Sequence, residues 1–425
     1  MSKSWRFLFY CHDSFGLGHF RRTLSLAEYC TATLPGAEVL IVTGSPMAHA
    51  FGLPPRVDFI KLPTVTKLSD GTYTARSLDM EFAAILDLRA ALLRETAQAY
   101  HPDVFLVDHA PVGLKGEALP TLKLLRATRP ECLCVLGLRD IIDASHLVQQ
   151  AWAQEGIYST LEHLYHLILV YGCQKFYDPV VEYALPPAIA QRVHFCGYLD
   201  RLAKTSPQDG DAHACLLTTT LRGELPSDAD RLVVLTAGGG GDGFPLMHAY
   251  LLGLRQLAKA AFTSVLVSGP LIEASELRML RELAASLPAG TAHIEPFRPD
   301  LLPLFTDADL VVSMAGYNTV CELLALRQRA LLVPRIAPRQ EQLVRAALLA
   351  ERGLVQMLHP EHLTPERLID LVLHSLAQPR PRAEQLAEAG IVFHGQGRAI
   401  YAVLEQLRSL RVQRRMVTQV TARVS

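Results

Sequence analysis

The sequence predicts an α/β protein of two domains, each built on a parallel sheet. Short, almost wholly apolar runs alternate with longer amphipathic stretches across the first 198 residues, stop over 200–230, and resume at 231. Those runs lack the in–out alternation of a half-exposed strand, as expected where helices cover both faces of a sheet. A length of 425 residues also exceeds what one core normally organises.

In the first half the strand segments are "WRFLFYC" (5–11), "AEVLIVTG" (37–44), "DVFLVDH" (103–109), "CLCVLGLRD" (132–140), "HLILVYG" (166–172) and "RVHFCGY" (192–198). Helices are expected between them at 21–34 and 82–100. In the second helix Phe82, Ile85, Leu86, Leu88, Leu92 and Leu93 fall near helical spacing. Residues 200–230 mix Pro, Gly, Asp and Ser without period and read as a linker. Strands resume at 231–241, 262–270, 291–297, 308–314 and 329–335, with helices at 245–261 and 275–287. The expected division is a first domain over 1–199, a linker over 200–230 and a second domain over 231–395. A terminal helix with a basic tail follows over 396–425, packing back on the first domain. Parallel sheets bind ligands beyond the carboxyl ends of their strands, so the cleft between two such domains is the expected site.

Composition narrows the function. Half the residues are hydrophobic, a fifth are charged, and the formal net charge is −1. No global field would recruit nucleic acid or an anionic membrane. The tail "RSLRVQRRMVTQVTARVS" carries five Arg and no acid; a frayed terminus is the plainer reading beside contact with anionic lipid. Cys11, Cys30, Cys132, Cys134, Cys173, Cys196, Cys215 and Cys321 are scattered without a CxxC, which suits reduced core thiols in a cytoplasmic protein. Neither a signal peptide nor a membrane-spanning segment is expected.

Three turns carry the chemistry. "HDSFGLGHF" (12–20) follows the first strand with Gly16 and Gly18, yet a third glycine is missing at Arg21 and no acid ends the next strand. A dinucleotide fingerprint needs both. "LTAGGGGDGF" (235–244) places Gly238, Gly239, Gly240, Gly241 and Gly243 before a helix expected near Phe244, without the Lys-Ser/Thr ending of a P-loop. One glycine would serve a tight connection; four in a row predict backbone N–H groups cradling an anion. "SMAGYNTVCE" (313–322) has Gly316 before a helix that Asn318 or Thr319 can cap, with Glu322 one turn further in. A solvated face is the ordinary fate of a lone helical Glu. Here its neighbours are apolar, and a carboxylate can accept both hydroxyls of a ribose diol.

The segment "SMAGYNTVCELLALRQRALLVPRIAPRQEQLVRAALLAERGLV" resembles the carboxyl-terminal domain of GT-B glycosyltransferases, in the group containing the N-acetylglucosaminyltransferase of peptidoglycan synthesis. The likeness is strong over about 231–356 and weaker over the first domain. It implies two Rossmann-like domains with parallel sheets facing across a cleft. It also implies a ribose-binding role for Glu322, donor-sugar contacts from Glu341 and Gln342, and a nucleobase wall at Phe297 and Arg298. The glycines 238–241 would face the diphosphate, and His19 of "GLGH" the acceptor or the departing phosphate. The family's first loop is richer in glycine, whereas Phe20, Arg21 and Arg22 follow at once here.

No Asp-x-Asp follows a strand in a position to hold magnesium. Asp307-x-Asp309 precedes one and reads as a cap or turn, so no metal and no cofactor are expected. His19 and Asp108 are the catalytic candidates, each also readable as a local cap; His109 and Arg139 join them at strand ends on the acceptor or phosphate side. Arg139 and Asp140 are expected to pair with each other. His163 and His166 lack a third ligand for zinc. The expected activity is transfer of a hexose or N-acetylhexosamine from a nucleotide sugar, UDP-hexose or UDP-GlcNAc, to a small-molecule, lipid or glycan acceptor. The expected place is the cytoplasm, with peripheral contact at the inner face of the membrane as an option. Rival readings are a non-hydrolysing UDP-sugar epimerase and an inactive nucleotide-sugar-binding protein.

Overall fold

The computed structural model describes residues 5–12, 18–67, 72–202, 231–257 and 260–424, with side chains through Val412. Gly16, Cys215 and most of the expected linker lie outside the described residues. The chain divides into two compact units, Met1–Leu199 with Val392–Ser425, and Asp200–Ile391.

The first unit holds β1 (Trp5–Cys11), β2 (Ala37–Thr43), β3 (Val57–Lys61), β4 (Val65–Lys67), β5 (Tyr73–Ala75), β6 (Val104–Asp108), β7 (Leu133–Arg139), β8 (Leu167–Tyr171) and β9 (Val193–Phe195). Seven of these form one sheet in the order β3-β2-β1-β6-β7-β8-β9, every pairing parallel. β6 and β8 are buried along their whole length, which explains their unbroken apolar runs. The helix over Phe82–Tyr100 has the bounds its periodicity predicts. β3 escapes sequence reading because it lies at the sheet edge and carries Asp58 and Lys61. The β4–β5 hairpin escapes because each strand has three residues.

The chain returns to this unit through a backbone crossing. Tyr198 N–H donates to Val392 O at 2.8 Å and Gly395 N–H to Tyr198 O at 3.0 Å. A Cβ on Gly197 would lie 2.8 Å from Val392 O, and one on Gly395 2.7 Å from Gly197 O, so the crossing demands both glycines. The helix Gly395–Val424 then buries Ala399, Ile400, Val403 and Leu407. Its Gln396 donates to Ser25 Oγ at 2.9 Å. Arg411 stands 4.4 Å from the Trp5 ring centre and bonds Asp103 at 2.8 Å.

The second unit holds β10 (Leu232–Thr236), β11 (Thr263–Val267), β12 (Ala292–Glu295), β13 (Leu310–Ser313), β14 (Ala330–Leu332) and β15 (Gln356–Met357). The order is β12-β11-β10-β13-β14-β15, again all parallel. Val233, Leu235, Leu266, Leu310, Val312 and Leu331 form the core with Met247, Tyr250, Leu368 and Val372 from flanking helices. The helix expected over 245–261 runs only Phe244–Leu254; Gly253, a weak helix former, sits just before its end. β15 has two residues, too few to register as a strand in the sequence.

In both sheets the order reverses beside the first strand, between β1 and β6 and between β10 and β13. At such a switch point the two outgoing loops turn to opposite faces and leave a crevice at the carboxyl ends. The three singled-out turns follow β1, β10 and β13, and Asp108 and His109 stand at the end of β6.

Candidate active site

In the first unit the switch point gathers His19, Arg22 and Asp108. The helix after β1 starts at Gly18, so His19 and Arg22, three residues apart, share a face over the end of β6. Asp108 is fully buried, and its Oδ2 lies 2.7 Å from His19 Nδ1. Arg22 grips the same carboxylate through Nε at 2.9 Å and Nη2 at 2.5 Å. Burial alone would push the Asp108 carboxyl up; the Arg22 guanidinium and the His19 hydrogen bond outweigh it and hold the carboxyl well below its ordinary range. Burial also drives His19 down to about 4, against the pull of Asp108. The imidazole is therefore neutral at pH 7. Its Nδ1–H faces the carboxylate, and that tautomer leaves the lone pair on Nε2.

Two more rings and a cation complete the cluster. His12 and His109 lie with ring centres 4.6 and 5.1 Å from that of His19. His109 has φ 65°, and its N–H donates to Gly137 O at 2.7 Å, which fixes it just past the strand. Arg139 Nη2 is 3.0 Å from His109 Nε2. Asp140 accepts from Ile141 N–H at 2.7 Å and from Tyr198 O–H at 2.9 Å. Arg139 thus meets His109, while Asp140 is held by Ile141 and Tyr198. Gly18, expected here, is the first helical residue.

In the second unit the glycine turn leads into the helix Phe244–Leu254, starting where expected. Its glycines have a packing reason the sequence reading undervalued. A Cβ on Gly240, φ 91°, would lie 2.2 Å from Ser268 O, and one on Gly243 2.1 Å from Ala237 Cβ. On the facing loop a Cβ on Gly269 would lie 2.5 Å from Gly238 O. Leu271 N–H donates to Gly239 O at 2.9 Å, so the loops after β10 and β11 press backbone to backbone. More than one glycine is needed for the connection itself.

The turn after β13 differs from expectation in its cap. Gly316 is the N-cap, with φ −62° and ψ 142°, and the helix begins at Tyr317 without a side-chain cap. Asn318 and Thr319 are already inside the first turn, too late to cap it. A Cβ on Gly316 would meet nothing within 4 Å, so no local packing demands glycine there. Ala315, with φ 60°, offers its carbonyl to the buried Arg345 Nη1 at 3.1 Å. Ser313 Oγ is buried at the strand end without a partner among the described residues.

Glu322 is 3 % exposed and bonds Arg201 Nη1 at 3.3 Å. Glu341 and Gln342 open the helix Glu341–Glu351, both buried. Gln342 Oε1 accepts Arg335 N–H at 2.9 Å, and the Arg335 guanidinium bridges Glu341 at 3.3 Å and Asp242 at 3.1 Å. One arginine thereby ties the glycine turn to the start of that helix. In the loop after β12, Phe297 is half-buried, and Arg298 makes a two-pronged pair with Glu295 at 2.7 and 2.8 Å. The structure brings Gly238–Gly241, Phe297, Arg298, Gly316, Glu322, Glu341 and Gln342 to the carboxyl end of one sheet. Sequence reading missed Arg22, Arg201 and Arg335. Only Arg22 left a signal, its helical spacing from His19.

Asp309 Oδ2 accepts Leu232 N–H at 2.8 Å at the opposite, amino end of the sheet, as a cap would. His166 Nδ1 accepts Cys134 N–H at 3.0 Å, and His163 Nδ1 is 2.8 Å from Ser159 O. Among the described residues no cluster of metal-ligating side chains is found, all seven cysteines are free and buried, and no helix is long and apolar enough to cross a membrane.

Comparison with known proteins bears on the fold. Residues 234–396 match the glycosyltransferase family 28 C-terminal domain. The chain is 37 % identical over 87 residues to the UDP-N-acetylglucosamine–N-acetylmuramyl-(pentapeptide) pyrophosphoryl-undecaprenol N-acetylglucosamine transferase of Lachnoclostridium phytofermentans, covering 20 % of this chain and 24 % of that protein. To the protein of that name from Syntrophotalea carbinolica it is 30 % identical over 172 residues, covering 40 % and 47 %. The chain spans about half the length, or less, of these curated relatives. Among solved structures, a UDP-glucosyltransferase from Polygonum tinctorium superposes with a TM-score of 0.60 at 14 % identity, covering 97 % of this chain and all of that one. MurG of Acinetobacter baumannii gives 0.57 at 14 % identity, covering 95 % and 100 %. At such identities the likeness is one of fold. The chain has the fold of the GT-B glycosyltransferases, and its residues 234–396 match the glycosyltransferase family 28 C-terminal domain.

Proposed function

We propose that this protein transfers a hexose or N-acetylhexosamine from a nucleotide diphosphate sugar, with UDP the expected nucleotide, to a hydroxyl acceptor, without a metal ion. One observation carries the reading: the family match over 234–396 contains both switch-point turns and, beside them, the buried Glu322, Glu341 and Gln342. Gly316, which no local contact requires to be glycine, supports close approach of a ligand to the helix start. The two named relatives act on UDP-N-acetylglucosamine, which supports UDP.

In this reading Glu322 accepts the ribose hydroxyls, Glu341 and Gln342 the sugar hydroxyls, and Phe297 and Arg298 flank the base. N–H groups at Gly238–Gly241 and at the helix start after Gly316, with Asn318 and Thr319 in its first turn, stabilise the diphosphate as it leaves. In the first unit, His19 Nε2 takes the proton of the acceptor hydroxyl. That oxygen bonds to the anomeric carbon while the bond from this carbon to the diphosphate oxygen breaks. Asp108 orients the imidazole and stabilises the imidazolium that forms. Gly16, Gly18, His109 and Arg139 serve the acceptor or phosphate side. The acceptor is a small molecule, lipid or glycan, and the place the cytoplasm or the inner face of the membrane.

Release of UDP from UDP-GlcNAc and UDP-glucose, including slow hydrolysis to water, tests the reading. His19→Ala should lower turnover by about a hundredfold while donor affinity changes little. Sugar interconversion without acceptor would establish an epimerase instead. Tight UDP binding with no release under any condition would establish a binding protein.

A further inference from the structure

Arg201 lies at the start of the segment read as a linker, and nothing in its sequence surroundings marks it. Its single nitrogen Nη1 donates to Asp300 Oδ1 at 2.9 Å and to Glu322 Oε1 at 3.3 Å. The Arg201 side chain is 21 % exposed, Asp300 45 % and Glu322 3 %. Asp300 also accepts Leu302 N–H at 3.2 Å, which anchors it at the end of the loop that carries Phe297 and Arg298. Arg201 therefore joins the loop after β12 to the helix after β13, the two elements assigned above to base and ribose. Burial opposes its charge, yet Glu322 and Asp300 prevail and hold the guanidinium more firmly protonated than usual.

We infer that Arg201 is a positioning residue of the nucleotide site, which holds the buried Glu322 carboxylate in orientation so that the site distinguishes ribose from 2′-deoxyribose. This rests on the donor-site reading above. The reason is electrostatic. A cation that bonds one oxygen of a buried carboxylate fixes the rotation of the group, and Arg201 Nη1 bonds Oε1 of Glu322. A carboxylate rotated out of that orientation no longer presents its oxygens to both hydroxyls of a ribose diol. Two acids left beside an anionic nucleotide would also repel it, and Arg201 stands between them.

The test measures Kd for UDP and for 2′-deoxy-UDP by calorimetry on the full chain and takes their ratio, so that diphosphate and base terms cancel. Wild type should favour UDP by about tenfold or more, the worth of one hydrogen bond to a charged acceptor. Arg201→Gln should bring the ratio close to one. Arg201→Lys should keep most of it, because both contacts come from one nitrogen that an ammonium can replace. In a Glu322→Gln background, where no buried carboxylate is stranded, Arg201→Gln should change the ratio no further. A wild type that binds neither nucleotide would overturn the donor-site reading itself. A wild type that discriminates while Arg201→Gln does so equally, or an Arg201→Lys ratio that falls to one, would overturn only the role of Arg201.

Discussion

Asp108→Asn is the sharpest probe of the first-unit cluster, because it changes charge while nearly preserving shape. In the native site the carboxylate is fully buried and receives Arg22 Nε at 2.9 Å, Arg22 Nη2 at 2.5 Å and His19 Nδ1 at 2.7 Å. The amide can still accept one Arg22 hydrogen bond, but it cannot neutralise a guanidinium that is 3 % exposed. Stranding one half of a buried ion pair costs about 3–5 kcal/mol. For a unit of this size the melting temperature should fall by roughly 10 °C. Differential scanning calorimetry of the full chain reads this directly. Adding Arg22→Gln removes the stranded cation, so the double variant should recover part of the loss. Were no transition to move by more than about 2 °C, or the double variant to lose the sum of the two singles, the pair would not be the buried ionic clamp described.

The glycine turn and the two acids give further tests. Gly240→Ala places a Cβ 2.2 Å from Ser268 O at a φ of 91°, so the denaturation midpoint of the second unit should drop by the equivalent of about 3 kcal/mol; a wild-type midpoint would refute the backbone packing. Glu322→Ala should weaken UDP binding by about 1–3 kcal/mol in calorimetry, and unchanged affinity would remove it from the ribose site. His19, lowered to about 4 by burial, stays neutral in the fold while the unfolded chain takes up its proton near pH 6.5. The unfolded state therefore binds more protons between these values, and stability falls as pH drops from 6.5 towards 4, by up to about 3 kcal/mol. His19→Gln should lose that share of the slope; an unchanged slope would place the acid sensitivity elsewhere.

Much of this organisation is legible in one dimension. Parallel strands such as β6 and β8 are buried on both faces, so their hydrophobicity is continuous and cannot be mistaken for a half-exposed edge. The helix over Phe82–Tyr100 announces its bounds because an amphipathic face must recur every three to four residues. The turns after β1, β10 and β13 stand out because small residues break those patterns at strand ends. β3, β15 and the β4–β5 hairpin stay hidden, being short or at an edge, where no period has room to develop.

What the sequence by itself determined is therefore the alternation, the two parallel sheets and the strand ends at which the small-residue turns stand. Only the tertiary structure decided which charges meet there. Arg22 on Asp108, Arg201 on Glu322 and Asp300, and Arg335 on Asp242 and Glu341 join residues 86, 121, 99, 93 and 6 positions apart. It also moved the helix cap from Asn318 or Thr319 to Gly316 and gave Gly240 and Gly243 a packing duty. The physical reason is common to all of these. Periodicity reports the local solvent on each side of a segment. Ion pairing and backbone contact depend on the approach of distant segments, which chain order fixes only once the sheets have formed.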